Sequence, residues 1–190
     1  MDNAVCDSIK KINHKNQINS ILDSIIGPMN IIFDTNKFTL GYTFFLEPKR
    51  NMIMDGIFSK IIYSNQYFTL NGIYLYLPID IQSMEKAMNK NIIKFYASSP
   101  ANNHLVQELS KIEYRIIEYY KQLNNITKRT TSLLSKQLYS GSLKLYKEYN
   151  DYRLIPDSKP TYIVKISGIW ENEDEVGINY KVIESFPFPG

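Results

Sequence analysis

Cysteine is nearly missing from this chain. Cys6 is the one thiol among 190 residues, so neither an internal disulfide framework nor a zinc site built on cysteines can form. Histidine is almost as scarce: His14 and His104 leave too few soft ligands for transition-metal chemistry, and no cofactor is expected. With 8 Gly and 8 Pro the composition is neither fibrous nor linker-like, and no apolar run approaches the roughly 18 residues of a membrane span. The opening residues MDNAVCDSIKKINHKNQ carry no apolar signal-peptide core, which leads us to expect a soluble, intracellular protein without a membrane partner. Catalytic signatures are absent too. There is no Walker-type GxxxxGK motif, no GxGxxG after a strand, no GxSxG, no HExxH and no acidic calcium loop, so the chain does not read as an enzyme.

What is present is a foldable composition: 44% apolar, 13% aromatic and 22% charged residues support one domain. Isoleucine (27) far outnumbers valine (5) and alanine (4), and Asn (18), Tyr (15) and Lys are favoured. AT-rich codons supply that bias, as in a large DNA virus, a virophage or a parasite, so individual Asn and Tyr residues are not read as selected. On this basis the host cytoplasm or a viral replication site is the expected location. The net charge of +3 divides unevenly: residues 1–85 carry −1, 86–153 carry +7 and 154–190 carry −3. A basic middle is a candidate contact surface for an anion, and the acidic end a candidate competitor for it.

The pattern along the chain predicts a helix near 17–26, stopped by Gly27 and Pro28, then an antiparallel meander of β-rich runs at 30–33, 37–47, 52–64 and 66–79. Alternation in the second run places Phe38, Leu40, Tyr42, Phe44 and Leu46 on one face. A short helix is expected at Ile81 to Met88 and a further strand at 91–98. Leu105, Leu109, Ile112, Ile116, Tyr119 and Leu123 recur at helical steps and predict a long helix over 102–124, with Glu108, Lys111, Arg115, Glu118 and Lys121 opposite. A loop and short helix ending at Gly141 follow, then strands at 142–149, 161–171 and 176–184, the last two joined as a hairpin. The fold class expected is α+β: an antiparallel barrel of the oligonucleotide-binding type, or a sheet, with a long helical insertion between the third and fourth strands. In domain terms, 1–190 form a single domain. It comprises an extension at 1–28, strands at 29–98, the helical insertion at 99–140, strands at 141–184 and a tail at 185–190.

Single-stranded nucleic acid is held by cations that follow the backbone and aromatic faces that stack on bases, and both are abundant here. The candidate backbone contacts are Lys49, Arg50, Lys121, Lys128, Arg129, Lys136, Lys144 and Lys147. Candidate stacking residues are Tyr42, Phe44, Tyr63, Tyr67, Phe68, Tyr74 and Tyr76, with Tyr146 near the basic segment; the strand GIYLYLP puts Ile73, Leu75 and Leu77 on one face and Tyr74 and Tyr76 on the other. Aromatics at alternating strand positions more often build a core, and Trp170 reads first as an anchor of the final hairpin. The acidic group Glu171, Glu173, Asp174 and Glu175 reads as a solvated turn, and Cys6 and His104 as bystanders.

The stretch KISGIWENEDEVGINYK, preceded by LYSGSLKLY and a helix-rich segment, resembles the C-terminal part of single-stranded-DNA-binding proteins of large DNA viruses, themselves similar to the podovirus type. The resemblance spans roughly residues 105–183. It implies an oligonucleotide-binding barrel, sequence-independent binding of single-stranded DNA in replication or recombination, and replication proteins as partners, with a homo-oligomer left open. Proteins of the podovirus type end in an acidic tail closed by an aromatic residue. VIESFPFPG departs from this, with Glu184 its one acid, although Phe186 and Phe188 remain available for a partner. The alternative function is a viral structural or assembly protein working through protein interfaces, and a third is a nuclease with an inconspicuous carboxylate site.

Overall fold

Two long runs of alternating β-branched residues near the C-terminus organise everything else. The computed structural model describes residues 31–50, 55–87, 90–147 and 160–185; the helix expected near 17–26, Cys6, His14, Phe186 and Phe188 lie outside them. Within this range the strands are β1 (Thr43–Phe45), β2 (Lys49–Arg50), β3 (Ile57–Ser64), β4 (Thr69–Leu70), β5 (Ile73–Tyr76), β6 (Ser83–Ala87), β7 (Lys90–Lys94), β8 (Arg129–Thr130), β9 (Ser142–Lys147), β10 (Thr161–Glu171) and β11 (Glu175–Ser185). The helices are α1 (Asn103–Leu123), after β7, and α2 (Leu133–Tyr139), between β8 and β9. Among the described residues, no helix is long and apolar enough to cross a membrane.

β10 and β11 form an 11-residue-by-11-residue hairpin. Its turn is set by Asn172, whose side-chain oxygen accepts the backbone N–H groups of Asp174 (3.0 Å) and Glu175 (2.8 Å), a local bond that makes the reversal without a long loop. Each outer edge of this hairpin is occupied by two strands placed end to end. Along β10, β5 pairs with residues 163–166 and β3 with 168–171, both antiparallel. Along β11, β8 pairs with 175–176 and β9 with 182–184, both parallel. The junction on β10 coincides with a bulge between Ile166 and Gly168. A Cβ on Gly168 would lie 2.5 Å from the Ser59 carbonyl oxygen and 2.3 Å from the Phe58 ring, so the close approach of β3 requires glycine.

The protein is therefore α+β, but the sheet is open and runs β1-β3-β10-β11-β9-β7-β6 rather than closing into a barrel. It is also mixed. A meander would have set β10 beside β9; instead β11 lies between them, which makes its pairing with β9 parallel. The helical segment follows β7, not the third strand.

α1 covers the core face of the sheet. Leu105, Leu109, Ile112 and Ile116 are buried, as their spacing predicts, but the stripe does not run on to Leu123, which is 57% exposed. It veers instead through Val106, Glu113, Ile117 and Tyr120. A strict seven-residue repeat drifts around a straight helix by about 20° per heptad, so a helix packed on a sheet buries the neighbouring column in its later turns. The short helix α2 ends as expected before Gly141, whose φ of +66° is the left-handed cap conformation.

Two elements differ from the sequence reading. The helix expected at Ile81 to Met88 does not form over its described residues, 81–87: Ile81, Met84 and Met88 stand at helical spacing in the sequence, yet β6 occupies Ser83–Ala87 as a solvent-facing edge strand on β7, and Met88 lies outside the described residues. In the 37–47 run, the 3-10 turns Thr35–Lys37 and Leu40–Tyr42 shorten the strand to Thr43–Phe45. Thr43 is buried while Tyr42, Phe44 and Leu46 are exposed. Phe38, expected on the same face as these three, is buried, so the turns keep the run from holding one face along its length.

Candidate nucleic-acid interface

Residues directly paired across strands share a face of the sheet, so the registers define what lies on the side away from the helices. Tyr76, Ile163, Ile183 and Tyr146 form one row across β5, β10, β11 and β9. Tyr74, Lys165 and Lys181 form the next, with Lys144 beside them on β9. Lys60, Gly168 and Asn179 follow, then Lys49, Phe58, Trp170 and Gly177. Among the described residues, these rows bring five lysines and five aromatic side chains to the helix-distal face, and Lys94 on β7 adds a sixth lysine beside Lys144. The carboxylates of this face, Glu85 on β6 and Glu175 at the start of β11, stand at the margins. Tyr76, Lys49, Lys60 and Lys181 are exposed, Tyr74, Tyr146, Lys144, Lys165, Phe58 and Trp170 half-buried, and Ile163 and Ile183 buried between the two tyrosines of their row.

The lysines and tyrosines are organised by cation–π contacts. Lys144 Nζ stands 4.4 Å and Lys181 Nζ 5.5 Å from the centroid of the Tyr146 ring, and Lys165 Nζ 5.0 Å from that of Tyr74. Lys144 also donates a hydrogen bond to the Tyr146 hydroxyl at 3.1 Å. Trp170 lies across Gly177, where a Cβ would come within 2.8 Å of the indole, and its Nε1 donates to the Ile178 carbonyl at 3.1 Å. The indole is thus anchored in the hairpin as its sequence context implies, but on the helix-distal side.

The central basic segment is not one surface. Lys128 donates to Glu171 Oε2 at 2.9 Å, and the other oxygen of that nearly buried carboxylate accepts the Tyr120 hydroxyl at 2.9 Å. With its proton committed there, Tyr120 accepts from Ser59 at 2.8 Å; burial raises its pKa above the ordinary phenol value. Arg129 pairs with Glu175, and Lys121 with Glu118 (3.3 Å) and the Thr130 hydroxyl (3.1 Å). The acidic turn therefore neutralises Lys128 and Arg129 within the chain, and Glu171 is not the solvated turn residue its neighbours suggested. Lys136 is exposed on α2, Arg50 ends the short strand β2, and Lys147 closes β9 in register with Glu184.

Of the residues named from sequence, Lys49, Tyr74, Tyr76, Lys144 and Tyr146 come together on the helix-distal face, Lys121 and Lys128 are held by carboxylates at the packed side of the fold, and the exposed Arg129 is paired with Glu175 at the margin of the face. Tyr63 is buried against Phe33 and Phe38, and Phe68 packs on the same cluster, so neither offers a free ring; Tyr67 is 81% exposed in the β3–β4 turn. Sequence reasoning missed Lys60, Lys165 and Lys181. The alternation of TYIVKIS and NYKVI, read as two faces, carries that signal. Comparison with known protein families, with curated proteins and with solved structures finds no match to this chain.

Proposed function

We propose that this protein binds single-stranded DNA without sequence preference across the helix-distal face of its sheet, and that it is not an enzyme. The observation that carries the reading is the joining of Tyr74, Tyr76, Tyr146, Phe58 and Trp170 with Lys49, Lys60, Lys144, Lys165 and Lys181 on one side of three adjoining strands and their flanks. Rings at strand spacing give bases a stacking surface, and lysines between them meet the phosphates. A lysine resting on a tyrosine ring swings to a phosphate when a base takes its place, so the cation–π pairs keep the cations positioned before binding. On an open sheet the strand lies over a face rather than in a barrel groove. The resemblance of residues 105–183 to viral single-stranded-DNA-binding proteins is the reason for assigning the activity to replication or recombination.

The test is an anisotropy titration of single- and double-stranded oligonucleotides over a salt series. Affinity for the single strand is expected to fall steeply with salt and to vary little with base order. Tyr146→Ala or Trp170→Ala is expected to weaken binding by about 1–3 kcal/mol each. Absence of binding to long oligonucleotides at low salt ends this reading. A second reading, assembly through protein interfaces, is favoured by the exposed Tyr42, Phe44 and Leu46 around the edge strand β1; it requires a large assembly insensitive to salt.

A further inference from the structure

Just beyond the last paired rung of β7 and β9 the surface opens into a groove of about 350 Å³, among whose lining residues are Tyr96, Ser98, Asn103, Tyr139, Ser140 and Gly141. Its lining carries no charged side chain, and two of its walls are tyrosines with most of their surface open to solvent, Tyr96 at 63% and Tyr139 at 59%. The frame is fixed before any ligand arrives. The side chain of the buried Asn102 accepts the Asp80 N–H at 2.8 Å and donates to the carbonyls of Asp80 (3.0 Å) and Tyr96 (3.1 Å), and Gln82 donates to the Tyr96 hydroxyl at 2.7 Å. Gly141 lies so close to the Phe95 carbonyl that a Cβ would fall 2.2 Å from its oxygen; any other residue would fill the floor.

That last rung is Lys94 paired with Ser142, and both face the helix-distal side, as Lys144 does two residues along. A strand following β9 from Tyr146 past Lys144 and Lys94 reaches the groove directly. We propose that the groove receives one nucleobase of that strand, stacked on Tyr96 or Tyr139, with Lys94 meeting the phosphate that precedes it; the proposal rests on the reading above. The volume lies near the lower end of the ~300–1,000 Å³ typical of small-molecule sites, room for one base and its sugar. Ser98, Asn103 and Ser140 put hydroxyl and amide groups around the rim; the Asn103 oxygen accepts from Gln107 and the Ser140 hydroxyl donates to the Gln137 carbonyl, which leaves the Asn103 amide N–H groups and the Ser140 oxygen lone pairs to meet a base edge. The first turn of α1 holds no acidic residue, so the field at that rim favours a phosphate.

The test is photo-crosslinking of the full chain to oligothymidylates carrying 5-iododeoxyuridine at each position in turn, with adducts mapped by mass spectrometry. The expected result is an adduct on Tyr96 or Tyr139 from one position, besides adducts on Tyr76, Tyr146 or Trp170. Tyr96→Ala and Tyr139→Ala are each expected to weaken oligothymidylate binding at least about fivefold and to remove the groove adduct alone. Adducts confined to the sheet face, with both variants binding as the parent does, overturn the groove while leaving the face intact. No adducts and no binding bring down the face reading and the groove with it. Thymidine monophosphate that saturates the groove and is not displaced by oligothymidylate overturns the link to the strand.

Discussion

Glu113 illustrates how much one side chain can decide. It lies fully buried on α1, and its carboxylate accepts the backbone N–H groups of Leu134 (3.0 Å) and Ser135 (2.7 Å) and the Ser135 hydroxyl, taking the place of the N-cap that Ser132 does not provide for α2. Glu113→Ala is expected to cost about 2 kcal/mol of stability, read by urea unfolding, because a buried helix start loses its acceptor. Burial raises the carboxyl's pKa above its ordinary 4.5, against the pull of those hydrogen bonds. The folded state then holds the proton more tightly than the unfolded chain, so stability contributed by Glu113 falls as pH rises from 4.5 through the raised value, and Glu113→Gln should flatten that slope. Lys128 makes a complementary case. Lys128→Ala strips the cationic partner from a nearly buried Glu171, leaving it the Tyr120 hydroxyl, and should cost roughly 2–4 kcal/mol in unfolding measurements with little loss of oligonucleotide affinity, whereas Lys181→Ala should do the reverse. Neither role was legible in the sequence. The partners of Glu113 lie 21 and 22 residues away and that of Lys128 lies 43 away, so no local pattern joins them.

At the scale of elements, what could be read locally was read well. α1 and the β10–β11 hairpin match their expected spans closely, because 3.6-residue and 2-residue periods persist long enough in them to be unambiguous. β6 departs from its helical spacing because an edge strand paired on one side has no core face for Met84 to fill. Around β1 the alternation holds, with Tyr42, Phe44 and Leu46 exposed and Thr43 buried, but the 3-10 turns before it break the run and bury Phe38. The split of strands around a helical segment was visible, but the placement of β11 between β10 and β9 was not, since neighbours in a sheet are chosen by tertiary packing. Gly141 offers a test at this scale: Gly141→Ala imposes both a left-handed φ and a clash with Phe95 on the α2–β9 junction. A loss above about 1 kcal/mol is expected in thermal or urea unfolding.

For the whole molecule, the division of charge into −1, +7 and −3 turns out to describe the chain and not its surface. Two central cations, Lys128 and Arg129, are paired by the acidic turn, and the lysines of the helix-distal face come from every part: Lys49 and Lys60 from the first, Lys94 and Lys144 from the second, Lys165 and Lys181 from the third. The field is assembled by folding. If all six lysines meet phosphates, the logarithm of affinity should fall against the logarithm of salt with a slope of about −4, about 0.7 for each cation on a single strand, and each Lys→Ala on this face should reduce its magnitude by about that amount. The end-to-end seating of strands on the β10–β11 hairpin also sets a timetable. Tyr76 waits for Ile163 and Lys60 for Gly168, partners that leave the ribosome roughly 90–110 residues later, or about 5–20 s at ~5–20 residues per second. The earlier strands are thus made long before the hairpin that gives them an edge to join, and the nascent chain must carry their unpaired backbone groups until its last strands emerge.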